Sequence, residues 1–575
     1  MGGGRTDEGT APAGPPRRRV LAQAAGAAAG VALGWTPAFT VAARAADADV
    51  PPSFPRGVRL VRQAFRNWSG EVAFDAVWTA LPARPADVLV LADWARAHGW
   101  RLRAKGAAHS WSPILARAGE PLERLVMVDT THGLTAVRCP GQGPGTVTAQ
   151  AGASLDAVLA ALEDAGYALP CTPASGAPTL GGVLAIGGHG TGVPAAGPWS
   201  AAHSTVGDTV ASLTAVVWDG AAGRHVLRRF ERSHPDTAAF LAHLGRAFVT
   251  EATLRVPPDA ALRCRSSLDV PAAELFGPPG GRRALERFFA RSGRVEALWM
   301  PYTRYPWLKV WTHEPVRPAG AREIRSPYPY PFYDTLPKEA SVLLREVTTG
   351  AAALTPLFTA AVEQGIRLGL TATASWDLWG PSRTTLLYLR PGTVRWRYAG
   401  WAVLCARRDV QGVVHDVWSR VQERLAAHRV RGEFPLSGPF HVRIAGADAA
   451  APTGALLSPA RPRTDRPEGD TVVWLNTVTF PGTPGELVLH RELEEWMLAH
   501  FAGRAVVRPE WPKAWGYGGR GPWSADAALV ASLPQAFGAG LPAGRRWQDA
   551  ARVLDRHDPA RVFRGPFLEE LFPAP

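Results

Sequence analysis

The stretch WRLRAKGAAHSWSP at residues 100–113 decides the fold, together with TLGGVLAIGGHGTG at residues 179–192. The first stretch predicts a short strand at 101–104 that enters a loop of small residues at 106–110, here called the first loop. Small residues let the backbone approach a ligand closely, and successive amide hydrogens in such a loop can hold phosphate oxygens. The second stretch, here called the second loop, is equally rich in glycine. Two such loops predict a long, doubly phosphorylated cofactor between them.

Neither loop matches the common nucleotide fingerprints, G-x-G-x-x-G after a strand or G-x-x-x-x-G-K-[ST]. Taken alone, each loop is equally compatible with a turn-rich surface connection. The order of the segments around them is more specific. In sequence they are PADVLVLADWARAHGWRLRAKGAAHSWSP, TVTAQAGASLDAVLAALEDAGYALP, TLGGVLAIGGHGTG, STVGDTVASLTAVVWDG and HLGRAFVTEATLRV.

These segments, spread over residues 80–257, resemble the flavin-binding domain of the vanillyl-alcohol oxidase superfamily. The resemblance implies FAD as the cofactor. In that superfamily the histidine of the first loop often carries the flavin covalently, and His109 occupies the matching position. Some members add a second tether through a cysteine where this chain has Ala177; Cys171 lies six residues too early, so a single tether is expected. The implied cofactor-binding residues are Lys105, Gly106, Ala107, Ala108, His109, Ser110, Thr179, Gly181, Gly182, Gly188, His189, Gly190, Val249 and Lys513.

Residues 1–45 are typical of an export signal. Arg17 and Arg18 precede a weakly hydrophobic run, and the sequence Ala-Arg-Ala at 43–45 resembles a cleavage site. Paired arginines followed by apolar residues favour the twin-arginine route, which exports folded, cofactor-loaded proteins. The run is too short and too rich in glycine for a stable membrane span. A secreted or cell-envelope protein is therefore predicted.

Composition excludes several classes of function. The chain has 575 residues and a net charge of +13, but its arginines are scattered among acids instead of forming a basic stripe, so no nucleic-acid partner is expected. The four cysteines form no C-x-x-C pair, which argues against zinc, and they could pair in three ways or remain free. They are Cys139, Cys171, Cys264 and Cys405. No metal site is expected, and the oligomeric state stays open.

Beyond residue 257 the pattern changes to aromatic-rich segments. VEALWMPYTRYPWLKVWT, TLLYLRPGTVRWRYAGWAVLCAR, GEFPLSGPFHVRIAG and TVVWLNTVTFPGTPG each show short alternation bounded by Gly or Pro, which predicts strands of an antiparallel sheet. Amphipathic helices separate them. The predicted fold class is α+β, with an FAD-binding domain split into two small α/β subdomains and a substrate-binding cap of antiparallel sheet plus helices. The predicted boundaries are 46–258 for the FAD-binding domain, 259–487 for the cap and 488–575 for a C-terminal return to the FAD-binding domain.

The cap segments, together with RPEWPKAWGY, resemble the covalent-flavin (type II) cholesterol oxidases over nearly the whole mature chain. The resemblance implies a sterol buried above the flavin. By position, Glu296 matches a gating glutamate, Arg443 its arginine partner, Asn476 a flavin-side asparagine and Lys513 a flavin-side lysine. Two positions depart, because His441 and Tyr398 stand where that family has glutamates.

These departures favour oxidation over double-bond isomerisation. A neutral histidine can take the proton of a hydroxyl, whereas a tyrosine, with a reference pKa of about 10, is a poor base. His441 and Arg443 alternate along a predicted strand, so both side chains lie on one face. On that face His441 would be the base and Arg443 would hold the developing alkoxide. A packing role for His441, and a water-facing position for Glu296, remain alternatives.

Lysine is scarce, which makes each retained lysine informative. The four are Lys105, Lys309, Lys338 and Lys513. Lys513 stands between Trp511 and Trp515, where a compact ammonium would suit a charge held at the flavin ring.

The resulting hypothesis is a secreted flavoprotein oxidase of a secondary alcohol, with a small apolar hydroxylated, sterol-like substrate and dioxygen as acceptor. Two alternatives stay open. One is a flavin dehydrogenase of a sugar or lactone that uses another acceptor, and the other is a catalytically silent exported flavin-binding protein. No G-x-S-x-G or H-E-x-x-H motif supports a hydrolase.

Overall fold

Strands of the chain assemble into three sheets in the part that the structure describes. The structure is a computed structural model that describes residues 1–2, 50–139, 145–194, 205–332, 338–390, 395–449 and 453–573. Residues from Val50 onward form one unit. The predicted export signal at 1–45 therefore lies outside the described residues except for its first two.

The first sheet carries the first loop. Its strands are β1 (Arg59–Arg66), β2 (Ala73–Leu81), β3 (Arg101–Lys105) and β4 (Leu125–Asp129), in the order β1-β2-β4-β3. Strand β4 runs parallel to both β2 and β3, while β1 and β2 are antiparallel. Helix α1 (Pro85–His98) joins β2 to β3, with proline in its first turn and a left-handed Gly99 after its last. The strand predicted at 101–104 is thus confirmed as β3.

The second sheet carries the second loop. Its strands are β5 (Val137–Arg138), β6 (Thr146–Gln150), β7 (Val210–Asp219), β8 (Arg224–Glu231) and β9 (Phe248–Arg255), antiparallel in the order β5-β6-β9-β7-β8. Helices α2 (Leu155–Asp164) and α3 (Leu180–Ala185) follow β6. The second loop is therefore not irregular throughout. It begins as the short helix α3, because the Thr179 hydroxyl caps it by accepting from the Gly182 backbone N–H at 3.4 Å.

The third sheet has nine strands and contains the aromatic-rich segments. The strands are β10 (Ala261–Ser267), β11 (Arg294–Trp299), β12 (Trp307–His313), β13 (Arg322–Glu323), β14 (Asp377–Pro381), β15 (Arg397–Cys405), β16 (Phe440–Gly446), β17 (Thr471–Thr479) and β18 (Val506–Pro509). Their order is β13-β14-β10-β12-β11-β16-β17-β15-β18, antiparallel except for the parallel pair β13–β14. The predicted antiparallel sheet is confirmed.

Burial of this sheet is more extensive than its alternating sequences indicate. Every residue of β11 and every residue of β17 is buried. Strands buried on both faces do not show the clean alternation of a half-exposed strand. Helix α10 (Val410–Val430) packs on β17. Polar side chains in β11 and β17 therefore need partners inside the protein, and the site described below supplies them.

The other helices lie between residues 237 and 571. They are α4 (Thr237–Phe240), α5 (Ala272–Leu275), α6 (Leu285–Ser292), α7 (Lys338–Thr348), α8 (Thr355–Ala372), α9 (Ser382–Leu386), α11 (Glu486–His500), α12 (Ala528–Ala536), α13 (Trp547–His557) and α14 (Pro566–Leu571). The mixture of helices and sheets confirms the predicted α+β class. Within the described ranges, we find no helix that combines the length and the apolar character needed to cross a bilayer.

The C-terminal segment pairs with the first sheet. The Leu102 backbone N–H donates to the Val562 carbonyl at 2.9 Å, and the Arg103 guanidinium donates to the carbonyls of Phe563 and Gly245. The rings of Phe248 and Phe563 are 5.9 Å apart. The end of the chain thus contacts both small sheets.

The cysteines are all free thiols. Cys171, Cys264 and Cys405 are buried, and burial raises the pKa of the Cys171 thiol well above its usual value and that of the Cys264 thiol to about 12. Such thiols are inert packing groups. Of the pairings that the sequence left open, the structure selects none.

Candidate active site

One cavity brings together the two loops and one face of the nine-stranded sheet. The predicted site residues that line it are Lys105, Gly106, Ala107, Ala108, His109, Ser110, Thr179, Gly181, Gly182, Gly188, His189, Val249, Glu296, Tyr398, His441, Arg443 and Lys513. Two predicted residues are placed behind the wall. Gly190 packs on the backbone of Thr172, where a Cβ would lie 2.6 Å from the carbonyl oxygen, and Asn476 is fully buried behind Arg443.

Small residues are required where the two loops meet. A Cβ on Gly106 would lie 2.1 Å from the Thr179 hydroxyl oxygen, a distance that no side chain could tolerate. A Cβ on Gly181 would lie 2.8 Å from that of Ala151. Ala108 has a φ of 51°, a left-handed conformation that is uncommon outside glycine. The two loops therefore approach each other closely at Gly106 and Thr179, and the cradle that they form is narrow there.

Lys105 ends strand β3 directly opposite Asp129 of β4, and their side chains form an ion pair. Burial alone would raise the pKa of Asp129, but the charge of Lys105 and hydrogen bonds from Lys105 and Thr131 outweigh burial and lower it. The carboxylate is thus ionised. It anchors the ammonium at the entrance to the first loop.

His109 lies against the rings of Trp68 and Trp111, with centroids 5.2 Å and 6.1 Å away. Burial, followed by the charge of Lys513, lowers the pKa of His109 to about 4. The imidazole is therefore neutral at neutral pH and keeps a lone pair on one nitrogen. A neutral, cavity-lining imidazole is the form of histidine that can act as a nucleophile.

His189 has a different role from the one expected of a cofactor contact alone. Its ring stacks face to face on Trp474 of β17, with centroids 3.5 Å apart, and its Nε2 lies 3.1 Å from Glu510 Oε1. Burial lowers the pKa of His189, and the nearby charge of Arg443 lowers it further, so the neutral ring donates this hydrogen bond. His189 consequently ties the second loop to the nine-stranded sheet.

Arg443 is not paired with Glu296, although the two stand opposite each other in β16 and β11. Its Nη2 donates to Asn476 Oδ1 at 2.8 Å and to Glu510 Oε1 at 3.2 Å. Burial alone would raise the pKa of Glu510, but Arg443 and His189 hold it well below its usual value. The expected Glu296–Arg443 partnership is thus wrong for this chain, because Glu510 supplies the counter-charge from the end of β18.

Glu296 is instead the centre of a second buried cluster. It accepts hydrogen bonds from Lys309 Nζ at 2.8 Å and from Tyr388 Oη at 2.5 Å, and its Oε1 lies 2.5 Å from His441 Nε2. Burial alone would raise the pKa of Glu296, but the charge of Lys309 and the proximity of His441 outweigh burial and lower it. A water-facing position for Glu296, one of the alternatives, is therefore wrong.

His441 lines the cavity and has one nitrogen without a partner in the described part of the chain. Its Nε2 bonds to Glu296, whereas its Nδ1 is buried and has no hydrogen-bond partner among the described residues. Burial lowers the pKa of His441 to about 4, and Arg443 and Lys309 act in the same direction. A buried polar atom without a partner is costly and calls for an explanation, which a bound ligand provides.

Lys513 has aromatic neighbours other than those expected. Trp511 and Trp515 are fully buried and turn away, and the Trp511 indole donates to the Leu457 carbonyl. The ammonium instead lies 3.8 Å from the Trp111 ring and 4.3 Å from the Tyr398 ring. Burial lowers its pKa to about 7. Tyr398 thus forms the wall beside Lys513, on the same side of the cavity as His109.

Three residues of these clusters were missed by sequence reasoning: Glu510, Lys309 and Tyr388. Glu510 is a lone acid between Pro509 and Trp511, inside RPEWPKAWGY, one of the segments that carry the family resemblance. Lys309 could have been found by the same signal as Lys513, because the chain has only four lysines. Tyr388 offered no comparable signal, since its partner Glu296 lies 92 residues earlier.

Comparison with known proteins gives consistent matches. The family model described as "Cholesterol oxidase, substrate-binding" matches residues 261–573, more than half of the chain, and the model "FAD binding domain" matches residues 78–223. A solved structure of a solvent-stable cholesterol oxidase is 42% identical, covers 91% of this chain and 99% of its own, and has a TM-score of 0.87. The cholesterol oxidase from Brevibacterium sterolicum is 36% identical with the same coverage and a TM-score of 0.86, as is a histidine-to-alanine variant of it.

A curated relative matches over a shorter range. The D-arabinono-1,4-lactone oxidase of Candida glabrata is 26% identical over 265 residues, which are 44% of this chain and 44% of that protein. This chain therefore matches less than half the length of that relative.

Proposed function

This chain belongs to the cholesterol oxidase family of FAD-dependent alcohol oxidases, and we propose that it oxidises the secondary hydroxyl of a 3-hydroxysterol such as cholesterol, with dioxygen as acceptor and hydrogen peroxide as product. One observation carries the proposal for the substrate end of the site. His441, a histidine whose pKa is lowered by burial, lines the same cavity that the two glycine-rich loops enclose and has a buried nitrogen without a hydrogen-bond partner among the described residues.

The residues of the cradle fit FAD. The loops meet closely at Gly106 and Thr179, and many of the loop residues that line the cavity are Gly or Ala, which lets a pyrophosphate approach backbone amide hydrogens at short range. We propose that the sequence-predicted loop residues hold the cofactor and that His109 is its covalent attachment point, since its ring is neutral and lines the cavity. When bound, FAD supplies the acceptor for the hydride that leaves the carbinol carbon.

His441 is the proposed base for the substrate hydroxyl. Its Nε2–H is used by Glu296, so the lone pair of Nδ1 is the one available to accept the hydroxyl proton. The alternative packing role would leave no reason for a buried nitrogen without a partner.

Arg443 is the proposed stabiliser of the alkoxide that develops as this proton leaves. Its Nη2 is held by Asn476 and Glu510, while its Nε is buried without a partner. A fixed guanidinium with one unused donor suits an oxyanion in a site that excludes water. Asn476 and Glu510 then position Arg443 and do not touch the substrate. We place Lys513 beside the isoalloxazine, where its charge would stabilise the anionic reduced flavin.

Isomerisation is proposed to be the weaker activity. It needs a base that removes a ring proton and returns it, yet the only carboxylate among the cavity-lining residues besides Glu510 is Glu296, whose oxygens already accept three donors. Tyr398 lacks basicity. We therefore propose that the unconjugated ketone is the main product.

We also propose that the chain is divided as the sequence indicates, with an export signal at 1–45, an FAD-binding domain at 46–258, a cap at 259–487 and a C-terminal return at 488–575. The proposed cap contains three fully buried tryptophans, Trp299, Trp307 and Trp311. Secretion through the twin-arginine route stays part of the proposal.

A second candidate is oxidation or dehydrogenation of a sugar or lactone, which the match to a lactone oxidase favours. Both candidates predict a yellow protein, so the substrate must separate them. The test is the visible spectrum of purified protein mixed anaerobically with cholesterol, with a γ-lactone or with an aldose, followed by admission of air and measurement of peroxide. Bleaching by cholesterol alone, with peroxide after air, supports the sterol oxidase. Bleaching by the lactone alone would replace it, and a spectrum that no substrate changes would indicate a flavin-binding protein without turnover.

A further inference from the structure

Lys309 is a buried cation that does not line the cavity. Its side chain is 0% exposed, and it stands directly opposite Glu296 in the pair of strands β11 and β12. Within the described ranges, Glu296 is the single carboxylate within 4.0 Å of its Nζ. Its other close neighbours are aromatic faces, with the Tyr388 ring centroid 3.5 Å away and that of Trp307 4.4 Å away. Burying an ammonium costs free energy because the charge loses its hydration, so a buried lysine needs an explanation.

The effect of Lys309 passes through Glu296. With Lys309 on Oε2, with Tyr388 donating to both oxygens and with His441 on Oε1, Glu296 has the surroundings of an ionised carboxylate. An ionised carboxylate has no proton to give and can only accept. The His441 nitrogen that faces it, Nε2, must therefore be the one that carries a proton.

We propose that Lys309 is a positioning residue that acts through Glu296 to fix the tautomer of His441, so that the protonated nitrogen is Nε2 and the free lone pair on Nδ1 faces the substrate. The inference rests on the proposed function, in which His441 is the base. It adds to that function the group that sets the protonation state of the base. The arrangement has the logic of a carboxylate that orients a catalytic histidine, with the carboxylate itself held ionised by an ammonium.

Removal of the Lys309 charge should raise the pH at which the Glu296–His441 pair loses its proton. The charged groups that face His441 are Glu296 from β11, Lys309 from β12 and Arg443 from its own strand. Without Lys309, the Glu296–His441 pair keeps a proton that it releases in the wild type, either as imidazolium beside carboxylate or as a carboxylic acid that donates to Nε2. In both forms Nδ1 no longer offers a lone pair. Because the two groups interact strongly, the pair titrates as a unit.

The first experiment measures kcat/KM against pH for the wild type, Lys309→Met and Arg263→Met, each with the flavin content of the same sample. Arg263→Met is the matched control, because it also breaks an ion pair in the nine-stranded sheet, with Asp377, outside the cavity lining. We expect the acid limb of Lys309→Met to move upward by about one pH unit or more, with activity regained as the pH rises. Arg263→Met should keep the wild-type limb. A uniform loss at every pH would show a structural role and overturn the proposal.

The second experiment reads the tautomer itself and needs no turnover. In the holoprotein labelled with [15N]histidine, the His441 signals are assigned by their absence from His441→Gln. At neutral pH we expect a protonated Nε2 and an unprotonated Nδ1 in the wild type. The opposite tautomer, or an imidazolium, would overturn the proposal even if Lys309→Met fails to fold.

The two proposals fail in different ways. If His441→Gln turned over at the wild-type rate, the proposed base would be wrong. The effect of Lys309 would still be tested by comparing the His441 tautomer in the wild type with that in Lys309→Met. If His441→Gln were inactive and the wild-type tautomer were opposite to the expected one, the base would stand and the role of Lys309 would fall. A double variant, Lys309→Met with Glu296→Gln, completes the set. In the Glu296→Gln background, the acid limb should be the same with and without Lys309→Met, because the carboxylate that transmits the charge of Lys309 to His441 is gone.

Discussion

Gly106 and Thr179 are 73 residues apart in the sequence, yet a single added carbon on Gly106 would lie 2.1 Å from the Thr179 hydroxyl oxygen. The two glycine-rich loops are therefore in close contact at this point. The cradle that they form has no room for a side chain at residue 106.

Gly106→Ala is expected to disturb the cradle and reduce flavin content. The methyl group must displace Thr179, whose hydroxyl also caps helix α3 through the Gly182 N–H, so both loops would shift. Flavin content is measured as the ratio of the flavin absorbance, at roughly 450 nm, to the protein absorbance, at roughly 280 nm. Gly220→Ala is the control, since nothing lies within 4 Å of the added carbon. Full flavin occupancy in Gly106→Ala would contradict the close contact.

His109→Ala is expected to release the flavin from covalent attachment while the fold is kept. Acid precipitation of the wild type should leave the yellow colour in the pellet, and the variant should leave it in the supernatant. His132→Ala, which changes an exposed histidine of the same domain, should behave as the wild type. Because a histidyl bond makes a flavin more oxidising, reduction by substrate should also be slower in His109→Ala. Colour that washes out of the wild-type pellet would remove the tether but not the binding of FAD.

His441→Ala is expected to lower turnover by about two to four orders of magnitude, the range for loss of a general base, with flavin content unchanged. The base works in its neutral form, and its pKa is lowered to about 4 by burial. Wild-type activity should thus be present above that pH and be lost as the pH falls through it. A wild-type rate in His441→Ala would identify the histidine as packing and move attention to Glu296 and Tyr398.

His441→Glu introduces the glutamate that the sequence resemblance leads us to expect at this position, and it tests product chemistry. Oxidation should persist, because a carboxylate can also accept the hydroxyl proton, and isomerisation should increase, because a carboxylate can return a ring proton. The conjugated enone has its own ultraviolet absorbance, which distinguishes it from the unconjugated ketone. An equal proportion of conjugated product in the wild type and the variant would contradict the proposed division of roles.

Arg17→Lys together with Arg18→Lys is expected to block export while the positive charge is kept. Twin-arginine recognition requires arginine at these positions, so precursor should accumulate in the cytoplasm. Immunoblots of cell and medium fractions measure the distribution. The variant Arg5→Lys, in the same segment but outside the paired arginines, should be secreted normally. Unchanged secretion of the double variant would indicate another route.

The sequence alone determined the architecture and much of the cavity wall. Alternation in the aromatic segments predicted the antiparallel sheet, because local patterns of apolar residues constrain backbone geometry directly. The α+β architecture around the two glycine-rich loops was implied by the resemblance of the ordered segments to a known flavin-binding domain. The alternation of His441 and Arg443 also placed both on one face. These are consequences of short-range chain geometry, which a sequence displays.

Only the tertiary structure decided which charges pair. Glu296 and Arg443 stand opposite each other, yet each is paired elsewhere, with Lys309 and with Glu510. Glu510 directly follows β18, which is separated from the strand of Arg443 by β17 and β15 in the sheet. Tyr388, which contacts Glu296, lies 92 residues further along the chain. Buried charges take the partners that satisfy the largest number of hydrogen bonds, and the set of candidates is defined by strand order and register. Those depend on contacts between distant segments, so the tautomer of His441 could not be derived from the sequence.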